Sequence, residues 1–264
     1  MIDIHHHLLW QLDDGSDSVE TTLAMCRQAV DQGITHIVAT SHASNHWPFQ
    51  PDAVAAKAAE LRNLLSVQRI PLHLGTGCDF HINFDNLADM RRSPQKYAVN
   101  NGGYILIELP DYALPIHLPE TLYEMQMLGL TPILTHPERN PTLQTDPNRM
   151  IEWLRGGMLI QLTSASLTGG FGRSARKAAL ALLDDNWVHF VATDAHNVTS
   201  RPPVLRESFE LVSERCGEEA ANRLFIDNPL AVFENRPLAE QPEPRRVFAD
   251  FEDQRNWLQK LLRR

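Results

Sequence analysis

Short apolar runs alternate with amphipathic stretches along most of this chain. Seven runs read as strands, at residues 1–4, 34–40, 71–78, 104–107, 131–135, 158–163 and 188–193. Several are nearly continuous in apolar residues, as expected of parallel strands covered on both faces. Between them lie helical patterns. Residues 19–32 carry Leu23, Cys26, Ala29 and Val30 at helical spacing, with Gly33 as a stop. Residues 53–67 follow Pro51-Asp52, residues 118–128 end at Gly129, and 149–154 and 175–183 are further candidates. Such alternation predicts an α/β fold with a parallel sheet and crossover helices. The sheet could close as a barrel or stay open and doubly wound.

The strand ends favour the barrel. The first strand finishes in His5-His6-His7; side chains alternate along a strand, so His5 and His7 share one face and His6 takes the other. This is a metal pincer, or else a tag remnant or polar strand terminus, although a tag would sit outside the apolar pattern that these histidines complete. The second strand leads to His42, the third to Asp79, the fourth to Glu108, the fifth to His136 and the seventh to Asp194 and His196. Only the sixth, ending Thr163-Ser164, brings no strong ligand, and Asp13-Asp14 lies in the first loop. An open sheet would spread these groups along a line. A closed barrel gathers them at the C-terminal mouth, where barrel chemistry collects.

Composition narrows the chemistry. The 264 residues suit one large domain or two small ones, with enough chain for a substantial core. No apolar run approaches a membrane span, and Asp3 with three histidines stands where a signal peptide needs a basic region and an apolar core, so a cytoplasmic protein is expected. A formal net charge of −9 argues against nucleic acid as a partner. Cys26, Cys78 and Cys216 are too few and too widely spaced for a disulfide framework or a cysteine zinc site, and none begins a Cys-x5-Arg loop. They are expected to be small buried residues.

Imidazoles and carboxylates without thiolate favour Mn, Fe, Zn or mixed occupancy. Nine candidate ligands exceed the needs of one ion. A multinuclear centre would acidify water and clamp an anionic substrate. Arg139 follows the fifth strand and Arg201 the seventh; guanidinium groups there suit phosphate.

These segments resemble the PHP (polymerase and histidinol phosphatase) superfamily. The closer likeness is to bacterial manganese-dependent protein-tyrosine phosphatases of capsule and exopolysaccharide operons, the CpsB/YwqE type. It is carried by Met1-Ile2-Asp3-Ile4-His5-x-His7, Leu12-Asp13-Asp14-Gly15, Ala39-Thr40-Ser41-His42, Thr135-His136-Pro137-Glu138-Arg139-Asn140, and Thr193-Asp194-Ala195-His196-Asn197 through Arg201-Pro202-Pro203. The resemblance implies a distorted seven-stranded (β/α)7 TIM-like barrel, the PHP fold, with three divalent ions, manganese foremost. On that pattern His5, His7, Asp79 and Asp194 hold the first ion. Asp79, Glu108 and His136 hold the second, Asp79 bridging. Asp14, His42 and His196 hold the third, and Arg139 and Arg201 bind phosphate. The implied substrate is phosphotyrosine on a protein, such as a bacterial tyrosine kinase of polysaccharide biosynthesis, cleaved by direct attack of metal-bound hydroxide without a phosphoenzyme. Where the family usually has Glu this chain has Asp79, one methylene shorter, so bridging needs closer strands.

Other readings are a histidinol-phosphate type phosphatase, a nucleic-acid phosphodiesterase, an amidohydrolase, or a non-catalytic barrel that regulates a kinase. An amidohydrolase barrel would carry lysine where Glu108 stands. Oligomers are compatible with the sequence. His36, His73 and His189 lie inside strand patterns and read as interior or interface residues, while His46, His81 and His117 lie on loops that could approach substrate. Trp10, Trp47, Phe49, Phe80, Phe84, Tyr112 and Phe171 could face a phosphotyrosine ring or simply pack their loops. Residues 1–264 are expected to form one barrel domain, with 238–245 a Pro- and charge-rich connector and 247–262 an amphipathic helix docked on it.

Overall fold

The computed structural model describes residues 1–110 and 114–247. Seven strands, β1 (Ile2–His6), β2 (His36–Ala43), β3 (His73–His81), β4 (Tyr104–Glu108), β5 (Thr131–Thr135), β6 (Leu159–Thr163) and β7 (Phe190–Ala192), pair in sequence order, all parallel. The sheet is not open. Asp194 N–H donates to the His5 carbonyl (2.8 Å) and His7 N–H to the Ala195 carbonyl (2.9 Å), joining the end of β7 to β1. Lower on the seam the Asp3 carboxylate replaces the ladder, accepting from Thr193 N–H (2.9 Å) and Thr193 Oγ1 (2.5 Å). The result is the expected distorted (β/α)7 barrel.

Alternation along the strands splits the apolar residues between two cores. Ile37, Ala39, Ile105, Ile107, Ile160 and Leu162 face outward under the helices. Val38, Leu106, Ile133, Phe190 and Ala192 fill the lower interior together with Ile2 and Ile4. Strict alternation would place Ile2 and Ile4 on the face opposite His5 and His7. The register of β1 on β2 slips by one residue between Asp3 and His6, from Asp3 opposite Ile37 to His6 opposite Ala39. That bulge lets the isoleucines and both histidines face the interior. His6 is buried with no hydrogen-bond partner at either ring nitrogen. β2, β3 and β4 extend beyond their expected ends because their polar tips remain in register: His42 lies opposite Asp79, and His81 opposite Glu108.

The expected crossover helices are present at Val19–Asp31, Pro51–Val67, Leu118–Met127 and Gly172–Asp184. Ser18 caps the first by accepting from Thr21 N–H (3.1 Å), and Gly33 ends it at φ +83°. The expected helix at 149–154 divides into a 3-10 turn, Pro147–Met150, and a short helix, Ile151–Arg155. Several helices had no strong periodic signal, among them Phe84–Met90, Arg206–Cys216 and Asn228–Phe233. The last closes the barrel floor: Val232 and Phe233 pack in the lower interior, and Asn100 Nδ2 donates to the Phe233 carbonyl (2.8 Å). The connector lies along the barrel side, where the Arg245 carbonyl accepts from Trp187 Nε1 (2.8 Å). The helix expected after it, and Tyr112, fall outside the described residues apart from Val247. No helix among the described residues is long and apolar enough to cross a membrane.

Cys26 and Cys78 are buried as expected, whereas Cys216, at the end of a surface helix, is exposed. His36 and His73 face each other across β2 and β3 at the lower rim, ring centroids 4.5 Å apart; His73 is exposed rather than interior, because it starts its strand where the floor opens to solvent. His189 is an interior acceptor: its Nδ1 takes the Ile160 N–H (3.1 Å). Burial pushes its pKa down to about 4, so the folded chain binds fewer protons than the unfolded chain between about pH 4 and 6.5. The stability it supplies is complete above the unfolded pKa and drains as pH falls toward 4. At pH 5 the loss is about 1–2 kcal/mol. In His189→Asn, whose Oδ1 can still accept, the drop in Tm between pH 7 and pH 5 is expected to be smaller than in the unaltered chain; thermal unfolding at both pH values checks this, and equal drops would refute it.

Candidate metal centre

The mouth is built by chain geometry before any charge is considered. After β1 the chain turns at Leu12-Asp13-Asp14-Gly15 and comes back onto itself. A Cβ on Gly15 would lie 2.4 Å from the His7 carbonyl oxygen and 2.5 Å from its Cβ, so no larger residue fits. This close return sends the two aspartates to different places. Asp13 is buried; its Oδ2 lies 2.8 Å from His7 Nδ1 and accepts from His42 N–H (3.0 Å), while Oδ1 accepts from Gly15 N–H (2.9 Å). Asp14 is half exposed and faces the mouth, 3.3 Å from His42 Nε2 and 3.5 Å from His196 Nε2. Of the two neighbours, Asp14 faces the other candidate ligands, and Asp13 lies behind His7.

All nine candidate ligands converge. His5 Nε2 lies 3.6 Å from Asp79 and 3.4 Å from Asp194, and His7 Nε2 is 3.4 Å from the same Asp194 oxygen. Ligand-capable atoms within 4.8 Å of one another form four overlapping groups: His5, His7 and Asp194; His5, Asp79 and His136; His7, Asp14, His42 and His196; and His42, Asp79, His81 and Glu108. Glu108 Oε1 is 3.6 Å from His136 Nε2. Two strand-end residues take left-handed backbone, His136 at φ 35° and Asp194 at φ 53°. Such strain in non-glycine residues persists only where the surroundings impose it. Here it turns each side chain back over the barrel.

The imidazoles are aimed by groups behind them. Gln161 Oε1, on the ligand-free β6, is 2.9 Å from His5 Nδ1, and the Asp194 carbonyl is 2.9 Å from His196 Nδ1. Each contact suits an Nδ1–H donor and leaves Nε2 toward the mouth. His196 Nε2, both Asp79 oxygens and Glu108 Oε2 are buried without a hydrogen-bond partner. Burial opposes ionisation of Asp79 and Asp194, yet the neighbouring charge on His5 holds both carboxyls well below the usual range. Burial, reinforced by Arg139, pulls His136 well down, and burial with His7 takes His196 down to about 4. Although burial opposes it, Asp194 and Asp79 push His5 up to about 9, and Asp14 and Asp79 push His42 up to about 11, so a divalent ion bound here would displace protons from these rings, taking anionic carboxylates and neutral imidazoles as donors.

Arg139 and Arg201 both reach Asp194 Oδ2, while its Oδ1 faces the histidines. The ring of Phe171 lies beside both guanidinium groups, its centroid 4.3 Å from Arg139 Cζ and 5.9 Å from Arg201 Cζ. Arg201 Nε has no acceptor. The other aromatic candidates pack elsewhere: Trp10 is buried with Lys57 Nζ 4.5 Å from its ring centroid, and Phe80 and Phe49 pack on Tyr97. Phe84 is exposed. His46 is exposed against Trp47, and His117 is exposed beside Glu120; of the three histidines expected on loops only His81 enters the mouth, and it does so from the end of β3, which runs further than expected.

Sequence reasoning undervalued Asp13, Gln161 and His81. Two signals were available: Asp79-x-His81 repeats the spacing of His5-x-His7, and a glutamine in a buried strand needs a polar partner. Asp3 offered only the weaker signal of a charge inside an apolar strand.

Fold and site together define a (β/α)7 barrel with a histidine–carboxylate cluster of candidate metal ligands at its C-terminal mouth. Within that class the chain belongs to the CpsB/CapC family of capsular polysaccharide synthesis, whose sequence model matches residues 1–234. It is 35% identical over 242 residues to the putative tyrosine-protein phosphatase CapC of Staphylococcus aureus, covering 91% of this chain and 94% of the relative. It is 34% identical over 255 residues to the tyrosine-protein phosphatase YwqE of Bacillus subtilis, covering 95% and 100%. A crystal structure from work on YwqE of Bacillus subtilis and CpsB of Streptococcus pneumoniae, described there as unique metal-dependent tyrosine phosphatases, matches with TM-score 0.86 and 33% identity over 93% of this chain and 98% of that one.

Asp13→Asn removes one anionic acceptor behind His7 without touching the mouth. Its expected effect is a loss of about 10–100-fold in divalent-metal affinity with the number of bound ions unchanged. Equilibrium dialysis of the metal-stripped chain against Mn²⁺ measures both quantities, and an unaltered affinity would remove Asp13 from this role.

Proposed function

We propose that this chain is a metal-dependent protein-tyrosine phosphatase. The ligand assignment follows the strand ends: His5, His7, Asp79 and Asp194 for one ion, Asp79, Glu108 and His136 for a second, and Asp14, His42 and His196 for a third. The donors, imidazole and carboxylate without thiolate, suit Mn, Fe or Zn; manganese is the first choice because the motifs resemble those of manganese-dependent phosphatases. The reading treats residues 1–264 as one domain. When bound, the ions supply Lewis acidity, neutralising phosphoryl charge and providing hydroxide at neutral pH.

The reading rests chiefly on one juxtaposition. Arg139 and Arg201 meet on Asp194, a carboxylate whose other oxygen faces His5 and His7. An anion gripped by the arginines is therefore held against the ligand cluster. The planar guanidinium groups orient the phosphoryl oxygens and offset charge in transfer. Phe171, beside both arginines, offers an apolar face to a phenyl ring. A phenolate leaves more readily than an alkoxide, so the residues need not supply a strong general acid. The family's link to capsular polysaccharide synthesis and the names of the relatives support phosphotyrosine on a protein, with a bacterial tyrosine kinase of polysaccharide biosynthesis as the proposed substrate. Three free cysteines accord with the reducing cytoplasm as the proposed compartment.

The test is hydrolysis of a phosphotyrosine peptide by metal-stripped protein, with and without added Mn²⁺. Turnover should be absent after stripping and restored by metal. Asp194→Asn should lower it by about 10²-fold or more, because it weakens ligand cluster and arginine anchor together. Absence of turnover with Mn²⁺, Fe²⁺ or Zn²⁺, alongside hydrolysis of histidinol phosphate, would instead indicate a small-molecule phosphatase. Trapping a covalent phosphoenzyme would sink the direct-displacement chemistry.

A further inference from the structure

We propose that His81 is an additional metal ligand, completing with Asp79 and Glu108 a donor set on the β3–β4 side of the mouth. The proposal rests on the metal centre assigned above and extends it by one residue. On β3, Asp79 and His81 are two positions apart and point to the same face. The strand therefore repeats the pincer that His5 and His7 make. His81 sits opposite Glu108 in the β3–β4 register, and its Nε2 contacts Glu108 Oε2 directly.

Four ligand-capable atoms gather here, from His42, Asp79, His81 and Glu108, all within 4.8 Å of one another. His81 Nε2 is 3.1 Å from His42 Nδ1, which lies 3.1 Å from Asp79 Oδ2 and 3.6 Å from Glu108 Oε2. The two histidines are not equivalent. His42 Nε2 faces Asp14, 3.3 Å away, and belongs to the group that contains His196. A neutral imidazole offers one lone pair, so His42 serves that group and cannot also ligate on the β3–β4 side. His81 remains as the imidazole donor there. Both Asp79 oxygens and Glu108 Oε2 are buried and make no hydrogen bond of good geometry; imidazole nitrogens are what face them, so the pocket that His81 enters holds carboxylate oxygens still open to a cation. Asp79 is a short carboxylate; a further donor from the same strand face compensates for its limited reach.

The rival role for His81 is a hydrogen bond that merely orients Glu108. Affinity alone does not separate the two, because orienting partners also change metal affinity by about 10–100-fold. The experiment therefore reads donor identity. Metal-stripped chain, His81→Gln, His81→Cys and Glu108→Gln are each titrated with Co²⁺ and followed by visible absorption, with Mn²⁺ binding measured by equilibrium dialysis. Gln keeps an N–H for Glu108 but loses the ring lone pair; Cys offers a thiolate. Ligation predicts a changed cobalt ligand-field spectrum and at least about tenfold weaker binding of one equivalent in His81→Gln. It also predicts a thiolate-to-cobalt charge-transfer band in His81→Cys that the unaltered chain lacks despite its own cysteines. An unchanged cobalt spectrum in His81→Gln with no charge-transfer band in His81→Cys overturns the proposal, even if affinity falls. Should His81→Gln fail to fold, the charge-transfer band decides alone. Glu108→Gln guards the parent reading: stoichiometric metal in the unaltered chain, perturbed by Glu108→Gln and indifferent to His81, leaves the phosphatase centre standing without this ligand. No stoichiometric metal in the unaltered chain defeats both.

Discussion

The two oxygens of Asp194 join the two halves of this site. Oδ1 is 3.4 Å from both His5 Nε2 and His7 Nε2, and Oδ2 receives Arg139 and Arg201. A single carboxylate thereby fixes the distance between the cluster of candidate ligands and the arginine pair. Its position comes from the seam that closes the barrel. Asp194 follows β7 at φ 53°, with its N–H on the His5 carbonyl, while Asp3 fastens Thr193 just below. Neither β7, three residues long, nor the bulged β1 could make a full ladder there. Asp3 supplies the acceptor that the missing ladder would otherwise provide, at the desolvation cost of a buried carboxylate that only good hydrogen bonding offsets.

The barrel and the residues that converge at its mouth were legible in the sequence because both write themselves in short-range patterns. Apolar runs separated by helical periods mark the strands, and the polar residue ending each run marks the mouth. Thr131–Thr135 is bounded by its pattern to the residue. What failed was whatever depends on a contact across the barrel. Alternation correctly paired His5 with His7, but it put Ile2 and Ile4 on the opposite face; only the one-residue slip against β2 reconciles them. The helix Asn228–Phe233 has little periodicity to read, because its role is to plug the floor with Val232 and Phe233. Phe80 looked like a loop aromatic, yet β3 continues to His81 and buries it.

The same distinction separates the ligands from the residues that aim them. A ligand announces itself by type and by its place at a strand end. An aiming residue is recognisable only from its partner. Gln161 sits in β6, the strand without a ligand, and matters because it reaches His5 Nδ1. Asp13 adjoins a ligand candidate of identical chemistry, and the two part ways only because Gly15 lets the loop fold back to within contact of His7. Charges in these positions carry a consequence for binding. Asp13 raises the basicity of His7, whereas Asp14, half exposed, faces His42 and His196 across the mouth.

Phe171 illustrates how far the chemistry of the mouth is set outside the ligand cluster. It stands between β6 and β7 in Gly169-Gly170-Phe171-Gly172, where Gly169 and Gly172 take φ of +99° and +86° that a larger residue would resist. This backbone brings the ring beside two cations that otherwise repel each other. The ring's negative face favours each guanidinium, and Asp194 neutralises part of their charge from below. Stacked against carbon and tied at one end, the arginines lose little further side-chain freedom when they take up an oxyanion. On the proposed reading, much of the entropy cost of ordering them for an oxyanion would thus be met in folding.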